Sequence, residues 1–307
     1  MTLFKLVKEH GFSEVFVLPN RPYSDWTLHR KDGAFHSNAD FIRDDPTIAY
    51  PWANACLICV WAYRPYDDDS FVPAYYVESN RSYHAMKNLI RRLNEIGIRA
   101  ERAETPYRTQ LLNAGIGCRM DNQLWFYAPY GTFTVLWGAM AQLPEPVEYT
   151  PSHANEPVCD HCGRCSDVCF GALDQGSFEW SNCIRSYLEN RPLPERFMPE
   201  LHSFSGCQRC QNVCPQNPQE RIPVPALVRE ALDPVRIVSG DYGPALELLG
   251  KNRKKPLLRQ AIVLCANQKR IEALPYLKQL EEKYADSFQS ELQYAFRLLQ
   301  NTENVLK

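Results

Sequence analysis

Eight of the twelve cysteines fall between positions 159 and 214, and their spacing limits what this stretch can fold around. Cys159, Cys162, Cys165 and Cys169 make the run CDHCGRCSDVC, Cys183 stands alone, and Cys207, Cys210 and Cys214 make CQRCQNVC ahead of Pro215. A C-x2-C-x2-C-x3-C run is how two-cluster ferredoxins hold 4Fe–4S cubanes, with the fourth cysteine reaching across to the other cluster. By that cross-over, Cys159, Cys162 and Cys165 share one cluster with Cys214, and Cys169, Cys183, Cys207 and Cys210 hold the second. Cys183 replaces the first cysteine that the second run lacks, and Phe170 stands where proline would follow Cys169. Zinc and disulfides are the alternatives. A structural zinc takes four ligands, usually as two separated pairs, so four cysteines within eleven residues crowd a single tetrahedral ion.

Disulfides require an oxidising compartment. The N-terminal stretch MTLFKLVKEHGFSEVF has no long apolar run and no twin arginine, so a cytoplasmic location is expected. Hydrophobic residues make up 45% of the chain and charged residues 23%, ordinary for a soluble globular protein. The most apolar run, residues 55–63, is too short to span a bilayer and reads as a buried strand, so no membrane partner is expected. The net charge of −2 supplies no global pull toward nucleic acid.

Periodicity predicts a helix over residues 3–10, a strand over 15–18 and a long irregular connection over 20–54. A helix over 82–96 places Tyr83, Met86, Leu89, Ile90, Leu93 and Ile96 on one face, ending at Gly97. A short helix is expected over 108–113. Strands over 123–128 and 132–138 read as a hairpin around Pro129-Tyr130-Gly131, and the proline-studded segment 144–157 as a linker. Beyond Pro225, amphipathic stretches over 256–268, 270–284 and 287–300 read as stacked helix pairs. Between Lys251 and Arg270 lie seven basic residues and no acidic one. That run is either a solvated helix face or a phosphate-binding surface. Cys56 and Cys59 within the apolar strand, and Cys265 on a helix face, read as core.

Several segments together resemble the epoxyqueuosine reductase family, a cobalamin-dependent, double-cluster group related to the reductive dehalogenases. They are ANACLICVWAYRPY (53–66), SNRSYHAMKNLIRRL (79–93), TPYRTQLLNAGIGCRMDN (105–122), YGTFTVLWGAM (130–140), the cysteine runs with NCIRSYL (182–188) between them, and GKNRKKPLLRQAIVLCAN (250–267). The order of these elements is more specific than the cysteine runs alone. The resemblance implies an α+β architecture with three domains. These are a nitroreductase-like α/β corrinoid-binding domain over 1–150, a ferredoxin-like domain with two 4Fe–4S clusters over 151–222, and a C-terminal helical HEAT-like repeat over 223–307.

It further implies base-off cobalamin contacted by Tyr83, His84, Arg108, Cys118 and Asn122, and a tRNA contact through Lys254, Lys255 and Arg259. A carboxylic acid above the cobalt would protonate the departing epoxide oxygen. Glu104 is the first choice and Glu101 the second, since a carboxyl in an apolar site favours its neutral form. The family's Gly-Trp-x-Gly-Lys-Asn reads Gly117-Cys118-Arg119-Met120-Asp121-Asn122 here. Cys118 is then either a buried hydrophobe or a neighbour of the cofactor.

The chain carries no Gly-x-Gly-x-x-Gly fingerprint, so electrons would come from an external flavodoxin or ferredoxin. A monomer is expected. Two other readings stay open: an electron-transfer protein or corrinoid reductase serving another enzyme, and a tRNA-binding module whose clusters are structural. Metal analysis separates the cluster reading from zinc: about eight irons per chain are expected after anaerobic reconstitution, the content of two cubanes.

Overall fold

Strand β2 (Ala55–Ala62) alternates two sets of side chains, and both sets are buried. Leu57 and Cys59 face one way, Cys56, Ile58 and Val60 the other, as the period of two in an extended chain requires. A strand covered on both faces sits inside a sheet. In this computed structural model β2 pairs antiparallel with β1 (Glu14–Pro19), Val15 opposite Cys59, and with β6 (Thr134–Ala141), Ile58 opposite Gly138. The edge strand β3 (Ala100–Ala103) pairs with β6 to complete the order β1-β2-β6-β3. The structure describes residues 2–22, 46–103, 105–147, 158–174, 176–189 and 191–306.

These residues form two units, each built from separated stretches of chain. The first comprises Met1–Tyr63, Arg81–Trp180 and Arg209–Gln219. One face of its sheet is covered by α1 (Leu3–Glu9) and by the Arg81–Glu95 turns of α3 (Ala74–Glu95), through Leu6, Val7, Met86, Leu89 and Leu93. Fully burying side chains of this size contributes about 1.5–3 kcal/mol each. Thr2 caps α1 by accepting from the Lys5 amide. The other face carries α4 (Tyr107–Asn113), with Leu111, Ala114 and Trp125 packed on Cys56, Ile58 and Met140. A short helix α2 (Pro46–Ala49) precedes β2.

The expected hairpin is reduced to a single antiparallel bridge, Tyr127 to Gly131. Strand β5 (Trp125–Phe126) pairs instead with β4 (Cys118–Arg119), and β6 becomes a central strand of the main sheet. Trp125 explains the difference: its Nε1 donates to the Ile116 carbonyl at 2.8 Å, folding the strand back on the α4–β4 turn. The first unit closes with α5 (Arg164–Asp167), the short strands β7 (Leu173–Asp174) and β8 (Ser177–Phe178), and α6 (Arg209–Asn212).

The second unit comprises Arg64–Asn80, Ser181–Gln208 and Glu220–Lys307. Its helices are α7 (Ala226–Ala231), α8 (Pro234–Val238), α9 (Gly243–Leu249), α10 (Lys254–Asn267) and α11 (Leu274–Leu306). The two expected last helices are separated within α11 by a kink, marked by non-helical dihedrals at Tyr284 and Phe288. Helix α10 is buried without interruption from Leu257 to Ala266. No helix among the described residues is long and apolar enough to cross a membrane.

That burial corrects the expectation for Arg259. Its side chain is 8% exposed and its Nε lies 2.8 Å from the Glu291 carboxylate, itself 2% exposed. Its Nη1 donates to the Arg191 carbonyl at 3.0 Å. Arg259 is a core ion-pair residue, closed off from any nucleic acid. Removing one partner of a buried pair leaves the other charge uncompensated, so Arg259→Ala should lower unfolding stability by about 3–5 kcal/mol. Lys255→Ala, on the exposed first turn, should stay within about 0.5 kcal/mol of the parent in the same urea titration.

Candidate metal centre

Cys159 and Cys162 lie on the loop that enters α5, and Cys165 on its first turn. His161 and Gly163 adopt positive φ, 54° and 78°. The Gly163 carbonyl then accepts from the amides of Ser166 and Asp167. This tight reversal turns the three thiols to one side. Cys214, just beyond α6, meets them: all four cysteines line one recess, with Met120, Asp121, Asn122, Asp160 and Arg164. None of the four is in a disulfide. Cys118, Met120 and Phe126 pack with Cys159 and Cys214 as an apolar wall.

Four thiols around one recess fit the ligand count of a cubane. Burial pushes the Cys165 and Cys214 thiols up, and the Asp121 carboxylate adds to the shift at Cys165; a bound cation reverses that bias by stabilising thiolate. Of the second expected set, Cys169 and Cys210 belong to the first unit, where α5 packs on α6 and the Arg209 guanidinium lies 4.4 Å from the Phe170 ring centroid. Cys183 and Cys207 belong to the second unit and are half-buried there.

Cys214 is held in place by a hydrogen-bond network that sequence reasoning missed. Asn217 Oδ1 accepts from the Thr132 amide at 2.8 Å, and Asn217 Nδ2 donates to the Gln211 carbonyl at 2.9 Å. Gln211 Nε2 in turn donates to the Thr132 carbonyl at 2.9 Å. Gly131 makes the approach possible: it has φ 64°, and a Cβ there would collide with Asn217 Oδ1.

A second pair went unrecognised in the sequence. His161 Nδ1 lies 2.9 and 3.1 Å from the two carboxylate oxygens of Asp121, and the Cys159 thiol is beside them. The His between the first two cysteines and the acidic residue replacing the family's lysine were the available signals.

The residues expected to contact a corrinoid divide between the two faces of the sheet. Tyr83 sits on the α3 face, 5.5 Å from the Trp137 ring, and His84 is exposed beside it. Arg108, Cys118 and Asn122 lie on the α4 side, the last two beside the cysteine recess. Arg108 Nη1 donates to the Gln123 carbonyl at 2.9 Å, Cys118 packs on Met120, and Asn122 lines the recess and accepts from the Leu124 amide at 3.1 Å. These five side chains do not form a single cofactor site within the first unit. Glu104 lies outside the described residues. Glu101 is exposed on β3 and pairs with Arg99 at 3.2 Å, in solvent rather than in an apolar pocket. Lys254 and Lys255 are exposed at the start of α10.

An α/β protein with a recess lined by four cysteine thiols is the class that this fold and site define. No family model matches the chain. An epoxyqueuosine reductase from Bacillus anthracis is 30% identical over 205 residues, 62% of this chain and 53% of that protein. In sequence the chain is similar to epoxyqueuosine reductases over that stretch. The match thus spans about half the length of that relative, 53%. In structure it is similar to epoxyqueuosine reductase from Bacillus subtilis, with TM-score 0.74 and 21% identity over 96% of this chain and 88% of the other. It is also similar to an epoxyqueuosine reductase crystallised with an epoxyqueuosine-modified tRNA-Tyr stem loop, with TM-score 0.72 and 20% identity over 96% of this chain and 97% of the other. These structural likenesses establish a shared mixed α/β fold.

Cys214→Ala should cut reconstituted iron from about eight to about four per chain and remove one of two cubane EPR signals. Retention of full iron content would show that Cys214 is not a ligand.

Proposed function

We propose that this protein is an iron–sulfur oxidoreductase that removes the epoxide oxygen of epoxyqueuosine in tRNA. The observation that carries the reading is the convergence of Cys159, Cys162, Cys165 and Cys214 on one recess, in a chain 30% identical to an epoxyqueuosine reductase. Two 4Fe–4S clusters, the second on Cys169, Cys183, Cys207 and Cys210, supply low-potential electrons singly from an external flavodoxin or ferredoxin. Deoxygenation consumes two electrons and two protons, breaks both C–O bonds of the epoxide, forms a C=C bond and releases water. The chain's own part is to hold the thiolates, orient substrate and deliver protons, with Glu104 as the donor.

The three-domain layout over 1–150, 151–222 and 223–307, a cytoplasmic location and action as a monomer complete the proposal. For tRNA, the support lies at the start of α10. Lys251, Lys254 and Lys255 are exposed there, and the Tyr242 hydroxyl holds the Lys254 ammonium pKa above the usual lysine range. Cations at a helix N-terminus oppose its dipole, a placement that a bound phosphate compensates. Base-off cobalamin is the remaining cofactor of the proposal, served by the Arg108, Cys118 and Asn122 side of the sheet. The separation of Tyr83 and His84 from that side favours a second reading, an electron-transfer protein that works without its own corrinoid.

Adding cob(II)alamin to the anaerobically reconstituted chain decides between the two. A base-off EPR spectrum at micromolar protein supports the reductase, and absence of binding supports the carrier. In a deletion strain, tRNA should accumulate epoxyqueuosine; unchanged queuosine in a strain with no second reductase removes that substrate. Replacing Lys251, Lys254 and Lys255 by alanine should weaken stem-loop binding and lower the salt slope by about 1 per lysine.

A further inference from the structure

We infer that Asp121 tunes the cluster held by Cys159, Cys162, Cys165 and Cys214, keeping its reduction potential low by setting a carboxylate against the Cys159 corner. The inference rests on the cluster reading proposed above. A carboxylate oxygen of Asp121, the Cys159 sulfur and a ring nitrogen of His161 all lie within 4.8 Å of one another. Asp121 also lines the recess into which the four thiols point.

Other charged groups reach the same recess, but they differ in exposure. Asp160 and Arg164 are exposed, where water and salt screen them. The Asp121 side chain is 19% exposed and is covered by the His161 ring, which is itself 73% exposed. An enclosed charge acts at lower effective dielectric than a solvated one. Reduction adds one electron to the cluster and hence one negative charge. A fixed carboxylate beside a ligand sulfur opposes that addition, and the potential of an iron–sulfur centre responds to local charge and solvent exposure.

Asp121 also has the geometry to stay in place. His161 bonds both its oxygens, and the adjacent Gln123 anchors the turn through its Nε2, donating to the Asp121 carbonyl at 3.1 Å and to the Gly176 carbonyl at 2.6 Å. A held carboxylate gives a fixed field rather than a fluctuating one.

The test is an EPR-monitored redox titration of the full chain, reconstituted anaerobically with iron and sulfide, as the parent, Asp121→Asn and Asp121→Lys. Both variants should keep the parent's iron content. One of the two clusters should move to a more positive midpoint, with the shift in Asp121→Lys about twice that in Asp121→Asn because the charge changes by two units instead of one. The same Asp121→Asn change in a Cys214→Ala background should shift nothing, since the cluster beside Asp121 is then lost. Equal shifts for the two substitutions, or none, overturn the inference. Loss of iron in Asp121→Asn overturns it too, making Asp121 a ligand. A parent chain that takes up no iron sinks the cluster reading itself.

Discussion

The recess depends on returning Cys214 to a loop that left the ribosome long before it, and the buried side chain of Asn217 performs that return. Closing so long a loop costs conformational entropy, though the cost grows only slowly with length. Against it stand the bonds among Asn217, Thr132 and Gln211, which leave little buried polar capacity unmet around Thr132. A typical hydrogen bond contributes about 0.5–1.5 kcal/mol net, and a fully paired buried network also fixes geometry. The bare backbone of Gly131 is what lets Asn217 come this close. Ligand position is therefore set by the sheet through Thr132, two residues ahead of β6.

The central sheet gives the first unit two chemically different sides. On one, α3 packs aliphatic side chains and Tyr83 against Trp137. On the other, the α4–β4–β5 stretch carries Arg108, Cys118, Asp121 and Asn122 up to the cysteine loop. The segment that departs from the family pattern is thus the segment that walls the recess. A change from a basic to an acidic side chain there alters the field in the recess without changing any of its four thiols.

Much of this was legible in the sequence where the signal is local. The apolar run at 55–63 became β2, and the periodicity of Met86, Leu89 and Leu93 became the buried face of α3. Cysteine spacing grouped Cys159, Cys162 and Cys165, and the cross-over logic supplied Cys214 to the same recess. What failed was long-range. The segment at Trp125 reads as one arm of a hairpin, but the indole bonds the Ile116 carbonyl and draws it to β4. Arg259 sits in a basic run, yet its partner Glu291 lies on another helix, out of reach of any local pattern. A hint was present: the unbroken apolar stretch Ala261–Ala266 marks a helix buried all round, which leaves no solvated face for an arginine two positions earlier.

Three cysteines outside the expected ligand set lie deepest in the apolar cores. Cys56 lies wholly inside the sheet core, where its pKa is pushed up to about 12; Cys59 beside it is likewise raised, and Cys265 within α10 reaches about 12. These groups stay protonated and sheltered from solvent, so they are poor nucleophiles and poor iron scavengers. On the proposed cluster reading, iron and sulfide meet few competing thiols in these cores. On that reading, the packing of the rest of the chain steers cofactor maturation to the sulfurs around the recess.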